Sequence, residues 1–109
     1  MATHFEIESR SDGHFAFSLK VGSEAILTSE AYTTKVACVN GIESVKKNAP
    51  DENRYRRTTT PEGTFRFALD AANGQVVGSS GYYETAAARD DAVEFLRKNA
   101  RDAEVKDLT

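Results

Sequence analysis

Asp12-Gly13-His14-Phe15-Ala16-Phe17-Ser18-Leu19 returns fifty residues later as Glu62-Gly63-Thr64-Phe65-Arg66-Phe67-Ala68-Leu69. In both copies a turn signal leads into large apolar residues alternating with smaller or polar ones, the period-two pattern of a half-buried strand. The repetition continues downstream. Ser29-Glu30-Ala31-Tyr32 is matched by Ser80-Gly81-Tyr82-Tyr83, and Glu43-Ser44-Val45-Lys46-Lys47-Asn48-Ala49-Pro50-Asp51 by Glu94-Phe95-Leu96-Arg97-Lys98-Asn99-Ala100-Arg101-Asp102. The chain is therefore two copies of one unit, residues 4–51 and 54–102, followed by a tail at 103–109.

Each unit reads as three strands and a helix. Phe5 and Ile7 alternate with Glu6 and Glu8, and Ser11-Asp12-Gly13 ends that first strand. Phe15, Phe17 and Leu19 form the second strand, and Ala25 to Ser29 the third. The turn between them differs: copy one has Val21-Gly22-Ser23, while copy two is one residue longer and carries Asn73-Gly74, the pair typical of a type I′ hairpin. Beyond Thr34 the period changes to helical, with Cys38, Val39, Ile42, Val45 and Ala49 on one face, and Val93, Leu96 and Ala100 in the second copy. Thr34 and Thr85 are placed to cap the helix N-termini. Lys46, Lys47, Arg97 and Lys98 suit the negative end of the macrodipole. Asn48 and Asn99 stand where a left-handed C-terminal residue is tolerated. Gly41, matched by Ala92, is a mid-helix glycine that costs about 1 kcal/mol against alanine, which implies close approach of another element. Val105 and Leu108 are the only anchors of the tail, which is either frayed or a short added strand.

At 109 residues and 39% hydrophobic, the chain suits one shared core, whereas either half alone is marginal in size. The net charge of −3 arises from 5 basic and 6 acidic residues in positions 1–50 and 9 and 11 beyond, a balance that disfavours a general phosphate-backbone binder. A single cysteine, Cys38, forbids an intrachain disulfide and fits a reducing cytoplasm. The N-terminus carries no basic-then-apolar leader, and no apolar run is long enough to span a bilayer, so no membrane association is expected.

Phe15-Ala16-Phe17-Ser18-Leu19, Asn73-Gly74-Gln75-Val76-Val77-Gly78-Ser79-Ser80 and Gly41-Ile42-Glu43-Ser44-Val45-Lys46-Lys47-Asn48-Ala49-Pro50, taken in order, resemble the YegP-like tandem-repeat family of small bacterial proteins. The resemblance runs from Phe5 to the Val105-Lys106-Asp107-Leu108-Thr109 ending. It implies an α+β fold of two β-β-β-α repeats related by a pseudo-dyad, with antiparallel sheets packed on two helices and room for exchange of the N-terminal strands. The family's members are of unknown function, so the resemblance carries over no catalytic residue.

The residues themselves offer three candidates. Ser29 and Tyr32, repeated as Ser80 and Tyr83, precede each helix, where backbone amides and a hydroxyl can hold a small polar ligand; the plainer role is serine bonding loop backbone and tyrosine packing its ring. Arg54-Tyr55-Arg56-Arg57 is the one basic cluster around an aromatic, and its arginines Arg54, Arg56 and Arg57 suit single-stranded nucleic acid. Tyr55 matches Phe5 and so belongs to a core strand, which turns Arg56 to the opposite face, within reach of a carboxylate such as Glu6. Arg57 replaces Ile7. His4 and His14 lack second ligands, and Cys38 lies on the apolar side of its helix, so neither a metal, a cofactor nor a Cys-His catalytic pair is expected. Asp90-Asp91 and Asp51-Glu52 are expected to be solvated. These readings favour a monomeric, non-catalytic cytosolic binding module for a protein partner or small ligand. Single-stranded nucleic-acid binding through Arg54–Arg57, or a small-molecule enzyme at the Ser/Tyr turns, are the alternatives.

Overall fold

The computed structural model describes residues 3–109. Seven strands form one sheet: β1 (Thr3–Ser9), β2 (Phe15–Val21), β3 (Glu24–Thr28), β4 (Tyr55–Thr59), β5 (Phe65–Asp70), β6 (Val76–Ser79) and β7 (Glu104–Asp107), in the spatial order β4-β5-β6-β3-β2-β1-β7. The first six strands read the same outward from the β3/β6 centre, as a pseudo-dyad requires. Helices α1 (Lys35–Asn48) and α2 (Ala86–Asn99) follow β3 and β6.

Alternation decides which face is covered. Phe5, Ile7, Phe17, Leu19, Leu27, Phe67 and Leu69 are buried toward the helices, where they meet Cys38, Ile42, Val45, Val93 and Leu96 in one core. Helix α1 packs on β2 of its own repeat and also on β5 and β6 of the other, so the core is shared by both copies. The Thr34 and Thr85 hydroxyls accept from the amides of Ala37 (3.1 Å) and Ala88 (3.0 Å), capping both helices as expected. Gly41 is a point of close approach to the sheet side: a Cβ there would lie 2.8 Å from Tyr32 Cζ and 2.9 Å from Phe17 Cε2.

Several local expectations are corrected. Asn73 does not take the positive φ that a type I′ turn demands; only Gly74 does, at +85°. The Gly74 amide donates to the Ala71 carbonyl and Ala71 to Gln75, which makes a type I turn closed by a glycine bulge. Copy one, shorter by a residue, instead uses Gly22 at φ +62° as the first of two loop residues between the paired Val21 and Glu24. Asn48 and Asn99 are not left-handed caps; each side chain donates back to a carbonyl four residues earlier, Ser44 (2.8 Å) and Phe95 (2.9 Å), and the chain continues right-handed through Ala49 and Ala100. Val39 is 40% exposed, because Cys38, Ile42, Val45 and Ala49 already complete the buried stripe.

The tail is a strand, not a frayed end: β7 runs parallel to β1, with Phe5 opposite Val105 and Ile7 opposite Asp107. The N-terminal strands stay on their own repeats, β1 on β2 and β4 on β5. The element that crosses from the second repeat to the first is thus β7.

Candidate functional site

Ser29 and Ser80 occupy equivalent positions and do the same work. Each hydroxyl accepts from a strand amide, Phe17 or Phe67, at 2.9 Å, and donates to the next carbonyl in the chain, Glu30 at 2.8 Å or Gly81 at 2.7 Å. Both lone-pair and proton capacity are engaged with backbone, which favours the turn-building role. Tyr32 and Tyr83 pair their backbones with Phe15 and Phe65, and their rings stack on Phe17 and Phe67 with centroids 6.2 and 6.4 Å apart. Burial pushes both phenols above the ordinary value. Glu30 adds to the rise at Tyr32 and Glu24 at Tyr83, but among the described residues neither hydroxyl is hydrogen-bonded to a histidine or a carboxylate.

The Arg54–Arg57 segment does not form a basic surface. Arg54 pairs with Asp51, Arg57 pairs with Glu52 and Asp90, and Arg56 makes a two-pronged contact with Asp70, Nη2 to Oδ1 at 2.7 Å and Nε to Oδ2 at 3.1 Å. The expected Arg56–Glu6 contact is absent, since β4 and β1 lie at opposite ends of the first six strands. Glu6 instead pairs with Lys20 at 2.9 Å and accepts from His4 at 2.7 Å. These bonds hold the Glu6 carboxyl below its usual range, Lys20 first and His4 second. The two repeats thus place a cross-strand ion pair at the same register with the signs exchanged, Glu6–Lys20 in one and Arg56–Asp70 in the other. Asp90 is not simply solvated: burial pushes its carboxyl up, but Arg89 and Arg57 outweigh this and hold it below the ordinary value. Glu52 and Asp51 are likewise engaged in ion pairs.

Cys38 is fully buried and burial raises its thiol, which removes it as a nucleophile at neutral pH. Among the described residues no three His, Cys, Asp or Glu side chains gather as a metal site, and no helix is long and apolar enough to cross a membrane.

What the alternation leaves on the uncovered face of the second repeat was not singled out by repetition. Arg66, between the inward-facing Phe65 and Phe67, stands over the ring of Tyr82 at 5.5 Å, and Tyr82 is 67% exposed. Beside them Arg56, Thr58, Arg66 and Ser79 line a shallow groove of about 330 Å³, and Thr60, Thr64 and Tyr82 border another of about 540 Å³. Copy one has Ala16 and Ala31 in place of Arg66 and Tyr82. The signal lay in positions where the copies differ, whereas the repeat drew attention to those they share.

The fold and this surface define a class: a two-repeat α+β protein with one uncovered sheet face, chemically different in each half. The chain belongs to the family described as a domain of unknown function, DUF1508, which matches it twice, over residues 11–55 and 62–107. It is 46% identical over 110 residues to the UPF0339 protein YegP of Escherichia coli K12, each chain being covered in full. A UPF0339 protein from the ptx operon 5′ region of Stutzerimonas stutzeri is also 46% identical, over 99% of this chain and 98% of that one. Two solution NMR structures share the fold. The E. coli yegP protein of unknown function has a TM-score of 0.91 at 45% identity, covering 100% of this chain and 95% of that one. A UPF0339 protein of Shewanella oneidensis has 0.93 at 41%, covering 100% and 93%. These relatives are uncharacterised, and they assign no specific function.

Proposed function

We propose that the protein is a non-catalytic binding module whose ligand-facing surface is the uncovered sheet face of the second repeat. The observation that carries this reading is the Arg66–Tyr82 pair. An arginine held over an exposed aromatic ring offers a cation and a flat apolar surface together, the combination enriched at protein interfaces. Among the described residues Arg66 pairs with no carboxylate, unlike Arg54, Arg56 and Arg57. Thr58 and Ser79 add hydroxyls beside it. The chemistry fits an anionic group carried on an apolar or planar body, such as an acidic side chain of a protein partner or a small carboxylate or phosphate ligand. The engagement of Ser29 and Ser80 by backbone supports a binding role over an enzyme at those turns. A monomer in the cytoplasm belongs to the same proposal, supported by the single, fully buried cysteine and by the internal pseudo-symmetry.

Labelled protein titrated with an acidic peptide, with inorganic phosphate and with a short oligothymidylate tests this reading. Amide shifts centred on Arg66 and Tyr82 and lost in Arg66→Glu support it. A response to the oligonucleotide alone, falling steeply with salt, replaces it with the nucleic-acid reading, now resting on Arg56, Arg66 and Tyr82. No response at these residues to any probe overturns it.

A further inference from the structure

The pseudo-dyad leaves one position filled at one end of the sheet and open at the other. Strand β1 sits on β2 with Phe5 opposite Leu19 and Ile7 opposite Phe17; β4 sits on β5 with Tyr55 opposite Leu69 and Arg57 opposite Phe67. The two edges are therefore in the same register, and the backbone groups that face outward from β1 have counterparts facing outward from β4. On β1 that edge is covered by β7, whose next residue, Leu108, donates its amide to the Ile7 carbonyl at 2.9 Å. Among the described residues no strand covers the edge of β4, and the counterpart of the Ile7 carbonyl is that of Arg57.

The side chains around the open edge indicate what fits it. On the filled edge Asp107 stands opposite Ile7 and its carboxylate pairs with Lys35. In the second repeat Ile7 is replaced by Arg57 and Cys38 by Arg89, so two guanidiniums occupy the region that faces the matching strand position. They already hold Asp90 between them, its Oδ1 3.0 Å from Arg57 Nε and 3.1 Å from Arg89 Nε, and Arg57 Nη2 also holds Glu52 at 2.7 Å. Arg89 is held there over the Phe65 ring at 5.3 Å. These guanidiniums are paired with internal carboxylates, but an added basic strand, or a second copy in antiparallel β4–β4 pairing, still brings further cations opposite them. The same arginines favour an acidic strand.

We propose that the outer edge of β4 is a strand-addition site for an extended acidic segment of a protein partner, running parallel to β4 as β7 runs parallel to β1. The segment places an apolar residue opposite Tyr55, as Val105 is opposite Phe5, and a carboxylate opposite Arg57, as Asp107 is opposite Ile7. Main-chain hydrogen bonds supply affinity and the arginine pair supplies selection. The site is distinct from the Arg66–Tyr82 surface, so either proposal stands or fails without the other.

The test uses the intact protein, isotope-labelled, and a heptapeptide with the sequence of residues 103–109. Amide shifts are expected along Tyr55–Thr59. Asp107→Lys in the peptide should weaken binding about tenfold or more, the equivalent of one lost charge-assisted contact. Asp90→Asn in the protein releases Arg89 from its carboxylate and leaves Arg57 with Glu52 alone, and should tighten binding several-fold, a gain that damage to the fold cannot mimic. Shifts confined to Thr3–Ser9 mean that the peptide displaces β7, and shifts confined to Arg66 and Tyr82 mean that it reads the other surface; either overturns the proposal. So does the absence of binding to both the parent protein and Asp90→Asn at millimolar peptide.

Discussion

The phenol of Tyr32 lies directly over the α carbon of Gly41, so close that a methyl group on Gly41 would stand 2.8 Å from Tyr32 Cζ. Helix propensity alone favours alanine there by about 1 kcal/mol. The ring cannot swing freely away, because it is stacked on Phe17. Overpacking of a rigid site costs about 1–3 kcal/mol and outweighs the propensity gain. Gly41→Ala should therefore lower the denaturation midpoint, and Tyr32→Phe in the same chain should recover part of the loss by removing the hydroxyl. A double-mutant cycle measured by chemical unfolding checks this; additive single effects would show that the two residues are not in conflict. The second repeat carries Ala92 at the equivalent position.

Ser29 and Ser80 make matching bonds but differ in burial, Ser80 being 8% exposed and Ser29 half-buried. Replacing either with alanine orphans a strand amide, Phe17 or Phe67. Ser80→Ala should cost about 1–3 kcal/mol, the range for leaving a buried donor unpaired, and Ser29→Ala less, because water can reach its site. Equal losses in urea unfolding would contradict the burial argument.

The Tyr55 hydroxyl donates to the Ala49 carbonyl at 2.7 Å in a buried contact, tying β4 to the end of α1. Tyr55→Phe leaves that carbonyl without its partner and should destabilise by about 1–3 kcal/mol. Burial, moreover, pushes the phenol far above its ordinary value of 10. A group raised in the folded state contributes its stability fully below the unfolded value and loses it as pH climbs past 10. Absorbance titration should find Tyr55 ionising only together with unfolding, and Tyr55→Phe should flatten the alkaline fall in stability.

The strands and helices were legible because each was written twice in local periodicity: Phe15, Phe17 and Leu19 against Phe65, Phe67 and Leu69, and Thr34 against Thr85 as caps. What was not legible depended on distance in space. The partner of Arg56 is Asp70 on the adjacent strand, and Glu6 is excluded only because β1 and β4 lie far apart in the sheet, a fact of strand order that no local pattern carries. Asn73-Gly74 departs from the expected turn for a related reason. The pair is compatible with two turn types, and the loop length set by the Leu69–Gly78 register chooses between them. At the candidate surface, Ser29, Tyr32, Ser80 and Tyr83 were conspicuous because both copies have them, which is what shared structural duty produces. Arg66 and Tyr82 stand where the copies diverge.

Asp107 holds the tail in place and makes its docking sensitive to acid. Its carboxylate takes a bond from Lys35 on α1 and further bonds from the Thr109 hydroxyl and amide, which together bring it from the usual 3.8 down to about 2. A carboxyl depressed in the folded state stabilises it above the unfolded value and ceases to do so as pH falls through the folded one. The window is therefore from about 4 down to about 2. Over that range β7 should loosen from β1, and the Leu108 amide, bonded to Ile7, should exchange with solvent faster relative to core amides such as Leu19. Asp107→Asn should show fast Leu108 exchange already at neutral pH and lose the acid step. Hydrogen exchange followed by NMR decides the matter: a Leu108 amide whose protection in Asp107→Asn equals that of the parent chain would mean that β7 is held by strand pairing alone.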